Sequence, residues 1–73
     1  MMLLNIDDML INIDYIYYIY PDADNNTIEL GFKDNSTMRI IPKDLIATYT
    51  LLKDTIFNNA NITEIDAKVQ VQQ

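Results

Sequence analysis

Apolar and polar residues alternate with a period of two along several short runs of this chain, and the period becomes helical only after Pro42. The clearest run is Thr27–Phe32, where Ile28, Leu30 and Phe32 alternate with Thr27, Glu29 and Gly31, predicting a strand with one buried and one open face. Residues 37–41 repeat the pattern, with Met38 and Ile40 on the inward phase and Thr37, Arg39 and Ile41 on the outward one. Upstream, residues 2–6 and 9–13 flank Asp7-Asp8 and predict a hairpin. Residues 15–20 form a third strand, closed by Pro21. The segment Asp22-Ala23-Asp24-Asn25-Asn26 and then Asp34-Asn35-Ser36 supply residues that tolerate turn geometry.

Leu45, Tyr49, Leu52 and Ile56, with Ile46 and Phe57 beside them, follow i, i+4, i+7 and i+11, the stripe of an amphipathic helix that covers a sheet. Pro42 suits its first turn, Asp44 complements the positive end of its dipole, and Asn58-Asn59 with Asn61 ends it near residue 58. Beyond the helix, Ile65, Ala67, Val69 and Val71 alternate with Asp66, Lys68, Gln70 and Gln72 as in a half-buried strand. That tail either pairs with its own sheet or adds to another chain as an exchanged strand. The expected fold is α+β: an antiparallel β-meander of about five strands packed on one C-terminal amphipathic helix, with an extra edge strand at the C-terminus. The expected organisation is one domain over residues 1–73, with a core at 2–58 and a tail at 59–73.

Four tyrosines, Tyr15, Tyr17, Tyr18 and Tyr20, crowd the third strand, so successive rings point to opposite faces. If Ile19 faces the helix, Tyr18 and Tyr20 stand on the open face with Glu29, Gly31, Thr37, Arg39 and Ile41. A bulge after Asp14 then reconciles Ile16 and Ile19 both pointing inward. Tyr and Arg are enriched at interface cores, which makes this face a candidate binding surface; equally, Tyr is a good strand former that needs no function to be half-exposed. Tyr18, Tyr20, Glu29 and Arg39, with Asp22 and Asp24 at the adjoining turn, are the candidate binding residues.

Charge narrows the partners. Eleven acidic and five basic side chains give a net charge of -6, which disfavours direct binding to nucleic acid and to anionic membranes. Asp7, Asp8, Asp14, Asp22, Asp24 and Asp34 fall at strand ends, where they either steer the protein to a basic surface or serve solubility. The absence of Cys and His, and a single Ser at position 36, removes the usual nucleophiles and neutral-pH bases, so no enzyme is expected. The aspartate pairs 7/8 and 22/24 sit at turns, where backbone bonding explains them better than acid–base chemistry. Asp22 to Asn26 opens like a calcium loop, but Thr27 stands where Gly is needed and Lys33 where a bidentate Glu is needed; no metal or other cofactor is expected. With no long apolar run and no basic leader at residues 1–6, a cytoplasmic location is expected.

The stretch Asn12-Ile13-Asp14-Tyr15-Ile16-Tyr17-Tyr18-Ile19, then Thr27-Ile28-Glu29-Leu30, a turn, Met38-Arg39-Ile40-Ile41 and the helix resembles the small β-meander-plus-helix proteins of the flagellar FlbD family. The likeness spans roughly residues 9–57, departs from the family's glycine-bearing second turn at Asp34-Asn35-Ser36, and implies a flagellar accessory or assembly role with no catalytic residue. Size and acidity are also similar to phage-encoded inhibitors of bacterial defence systems. A chain this small buries only about 60% of its unfolded surface, so a homodimer or protein partner is expected. The leading expectation is a small acidic binding protein that covers a host defence protein; a nucleotide-sequestering binder at a dimer interface is the alternative.

Overall fold

The computed structural model describes residues 3–57 and 64–70. Within them the chain forms β1 (Leu3–Ile6), β2 (Met9–Asn12), β3 (Ile16–Asp22), β4 (Thr27–Phe32), β5 (Thr37–Pro42), α1 (Leu45–Phe57), β6 (Glu64–Ile65) and β7 (Ala67–Val69). The expected α+β architecture is present, strands packed on one helix. The strands divide between two sheets, β2-β1-β6 and β3-β4-β5-β7, where a single meander was expected. Alternation in sequence fixes which face of a strand is buried but not which strand it joins.

Asp7 and Asp8 make the hairpin turn between β1 and β2, both with positive φ, 53° and 64°, the geometry whose twist matches flanking antiparallel strands. A single 3-10 turn, Ile13–Tyr15, then redirects the chain into the second sheet; the Asn12 side chain caps it by accepting the Asp14 N–H at 3.0 Å. Tyr15 therefore precedes the third strand, contrary to expectation, and stacks on Phe32 with ring centroids 6.0 Å apart. Pro21 does not close β3, which continues to Asp22. As an edge strand, β3 has backbone positions that need no ladder partner, so it tolerates a residue without an N–H.

Helix α1 starts from Asp44, whose carboxylate accepts the Ala47 N–H at 3.1 Å and whose carbonyl accepts the Thr48 N–H at 2.9 Å. Pro42 lies in β5 and is not part of the helix's first turn. The helix packs across β4 and β5 through Leu52, with Thr48 and Thr55 also buried and Leu45, Tyr49 and Ile56 packed around them. Ile46 and Phe57, expected on this stripe, point outward at 78% and 71% exposure. Thr55 satisfies its hydroxyl by donating to the Leu51 carbonyl at 2.8 Å, which lets this polar side chain sit in an apolar layer. The asparagines expected to end the helix, at positions 58, 59 and 61, lie outside the described residues.

The C-terminal segment pairs with its own chain and joins both sheets: β6 runs parallel to β1 through Asn5↔Glu64 and Ile6↔Ile65, and β7 antiparallel to β5 through Ile40↔Val69 and Pro42↔Ala67. Ile65 and Ala67 are buried and Asp66 and Lys68 exposed, as the alternation predicts; Val71 and Gln72 lie outside the described residues. One continuous core results, built from Leu4, Ile6 and Ile11 of the first sheet, Ile28, Leu30 and Ile40 of the second, Leu52 of the helix and Ile65 of the tail.

Asp7 fastens this junction. Its carboxylate accepts the Val69 N–H at 3.1 Å and lies 3.4 Å from the Lys68 ammonium, so the β1–β2 turn is tied to β7. The Val69 bond first, and Lys68 second, hold the Asp7 carboxyl below its ordinary 3.8. A depressed carboxyl stabilises the fold above its unfolded pKa and loses that contribution as pH falls through its folded value. Urea unfolding at a series of pH values is therefore expected to show stability falling below about pH 4. The slope should be shallower in Asp7→Asn, which is also expected to be less stable at neutral pH. Identical slopes in the two proteins would show that the clamp carries no charge-dependent stability.

Candidate functional site

One face of the four-stranded sheet packs against α1; on the other, no element among the described residues covers Tyr18, Tyr20 and Ile41, which are exposed. Cross-strand register sets its rows: Tyr18 opposite Gly31, which faces Thr37; Tyr20 opposite Glu29, which faces Arg39; and Asp22 opposite Thr27. The pairing slips between Ile16 and Tyr18, so Tyr17 is the extra residue of a bulge. That slip lets Ile16 be buried while Ile19 also packs against the core, as the expected bulge required. It also throws Tyr17 outward at 76% exposure, beside Tyr20 at 59%.

Gly31 makes room for Tyr18. A Cβ at position 31 would lie 1.9 Å from Tyr18 Cε2, so the ring rests directly on the glycine backbone. A glycine inside a strand commonly marks such a close approach, and an aromatic ring laid across it restores the missing side-chain contact. From there the Tyr18 hydroxyl donates to Glu29 Oε2 at 2.6 Å, and the other carboxylate oxygen of Glu29 lies 3.2 Å from an Arg39 nitrogen. Arg39 reaches Asp22 at 3.7 Å, and Asp22 accepts from the Asn25 side chain at 2.8 Å. The Glu29 bond raises Tyr18 above its ordinary 10.0, and the Asn25 side chain is the largest of the causes holding Asp22 below 3.8. The result is a chain of contacts across three strands and a turn, with carboxylates on both sides of the single arginine.

Tyr18, Glu29, Arg39 and Asp22 are thus drawn into one network. Tyr20 stands on the same face opposite Glu29 without joining it, and Asp24 sits exposed in the turn, with its side chain outside the network. Asp22 is placed on this face because β3 runs on through Pro21. Tyr17 was missing from the sequence-derived set, since strict alternation assigns it to the inward phase. It packs edge-on to Tyr18 at 6.3 Å.

An open groove of about 390 Å³ lies elsewhere, between the β1–β2 turn and the β6–β7 segment, with Asp7, Asp8, Glu64 and Asp66 on its walls. Among the described residues, no three acidic side chains are grouped to hold a metal ion. No helix among them is long and apolar enough to cross a membrane. Comparison with known proteins returns no matching family model, no matching curated protein and no matching solved structure.

Proposed function

We propose that this is a small, acidic, non-enzymatic binding protein whose open sheet face covers a surface of another protein, as phage-encoded inhibitors do to host defence proteins. The observation that carries the reading is the cross-strand network: Glu29 orients Tyr18 and Arg39 before any partner arrives, while Tyr17, Tyr20 and Ile41 stay exposed around them. Rigid tyrosines beside an oriented arginine are the side chains that dominate interface energetics, and pre-ordering them lowers the entropy cost of association. The net charge of -6 favours a partner with a basic surface and speeds encounter with it.

The nucleotide-sequestering alternative stands second for a physical reason. Arg39 already lies between Glu29 and Asp22, so an anionic ligand must displace two carboxylates to reach it. A flagellar accessory role rests on the sequence resemblance alone. The test is capture from host extract by immobilised wild-type protein, Tyr20→Ala, and Ile46→Ser on the outward side of α1. A protein retained by wild type and Ile46→Ser but bound roughly thirtyfold more weakly by Tyr20→Ala is the expected result, the size of a hot-spot loss near 2 kcal/mol. Equal retention by all three, or none by any, overturns the reading. A rise in thermal stability on adding nucleotide would instead favour the alternative, because a ligand of the folded state must stabilise it.

A further inference from the structure

Among the described residues the two sheets have four outer edges, and three of them are blocked. Strand β3 carries the Tyr17 bulge and Pro21, both of which spoil pairing with a further strand. Strand β6 is two residues long and begins with Glu64. Strand β7 has its Val69 N–H taken by the Asp7 carboxylate. Strand β2, Met9-Leu10-Ile11-Asn12, has no charge, proline or bulge, and among the described residues it pairs only with β1.

The two-residue turn makes Ile6↔Met9 the first hydrogen-bonded pair of the hairpin. Alternation along an antiparallel ladder then turns the N–H and C=O of Leu10 outward, and those of Asn12 after it. Leu10 is 66% exposed, and Met9 and Leu3 beside it are exposed as well. An uncharged, apolar strand with outward backbone groups is a template for another strand.

We propose that β2 pairs antiparallel with β2 of a second copy of this chain, about a two-fold axis at Leu10. The inference is independent of the proposed role of the tyrosine face, which lies on the other sheet. In this register Leu10 faces the partner's Leu10 and Met9 faces the partner's Ile11. The central pairs are thus apolar and uncharged, and Asp8 in the hairpin turn and Asp14 in the 3-10 turn both lie outside the ladder. A net charge of -6 on each copy opposes this association as it does any other between copies, so the pairing is expected to tighten as salt screens the repulsion. A four-residue ladder covers far less than the roughly 800 Å² per partner of a standard interface, so the dimer should depend on concentration.

The test is solution mass by light scattering and sedimentation, from dilute protein to the solubility limit, at low and high salt. Wild type is expected to double its mass with concentration, more readily at high salt. Leu10→Pro, which removes an outward N–H and no bond to β1, and Leu10→Lys, which sets like charges at the axis, should both lose the doubling. Circular dichroism of Leu10→Lys checks that the fold survives, so the test stands even if the proline variant does not fold. Tyr20→Ala should dimerise like wild type, which separates this proposal from the tyrosine face. A wild type that stays monomeric throughout, or Leu10 variants that dimerise equally well, overturns it; the first outcome leaves β2 to an extended segment of another protein.

Discussion

Leu52→Ala is expected to lower folding stability by about 3 kcal/mol, within the ~2–5 kcal/mol that follows truncation of a core leucine. Leu52 is fully buried and is the one apolar side chain of α1 with no exposure, so it anchors the helix to the sheet. Its neighbours on that face, Thr48 and Thr55, are held by their own positions on the helix and cannot swing in to fill the space. Stability of ~0.05–0.15 kcal/mol per residue puts a chain of this length at about 4–11 kcal/mol, so one methyl-for-isobutyl change removes a large share. Urea unfolding at neutral pH measures it. A loss under about 1 kcal/mol would mean that the helix contributes little to the fold through this side chain.

Glu29→Ala is expected to weaken partner binding by about thirtyfold or more while changing folding stability much less than Leu52→Ala does. Glu29 is the joint of the open face, taking the Tyr18 hydroxyl on one oxygen and Arg39 on the other. Without it the ring and the guanidinium lose a common orienting group, and both must be ordered during association. The two variants together form a double dissociation: one weakens the fold without touching the face, the other disorders the face within an intact fold. Titration of each against the captured partner, beside its unfolding curve, tests this. Parallel losses of binding and stability in Glu29→Ala would show that the network is structural only.

What the sequence revealed depended on how local the cause was. Strand β4 was legible in its phase, which put Ile28 and Leu30 in the core and Glu29 on the open side, whereas Thr27 and Gly31, expected on that open side, are buried and Phe32 is only half-buried. Arg39 followed by the same phase on β5, and Tyr18 and Tyr20 followed once a bulge was allowed. Tyr17 escaped because a bulge changes the phase at one residue, and alternation alone does not say which. The helix stripe was misjudged at Ile46 and Phe57 because apolar character was weighted above position, while Thr48 and Thr55 occupy the buried arc. Pro21 looked like a strand terminator because an edge strand cannot be recognised before the sheet order is known. The lone Gly31 was visible, but its role as the bed of the Tyr18 ring depends on a cross-strand neighbour.

The tail that ties both sheets together has a consequence for the order of events during synthesis. The β1–β2 hairpin and the β3–β4–β5 run are local pairings that close soon after they emerge, whereas β6 must reach back to β1, and β7 to β5, across α1. Contacts so distant along the chain form late, since loop closure precedes any gain from them. A nascent chain that has exposed β1 to α1 but not residues 64–69 therefore holds two incomplete sheets with open β1 and β5 edges, Leu4, Ile6 and Ile40 among their side chains. That is the species most open to misassociation, and it persists until β6 and β7 have closed on β1 and β5.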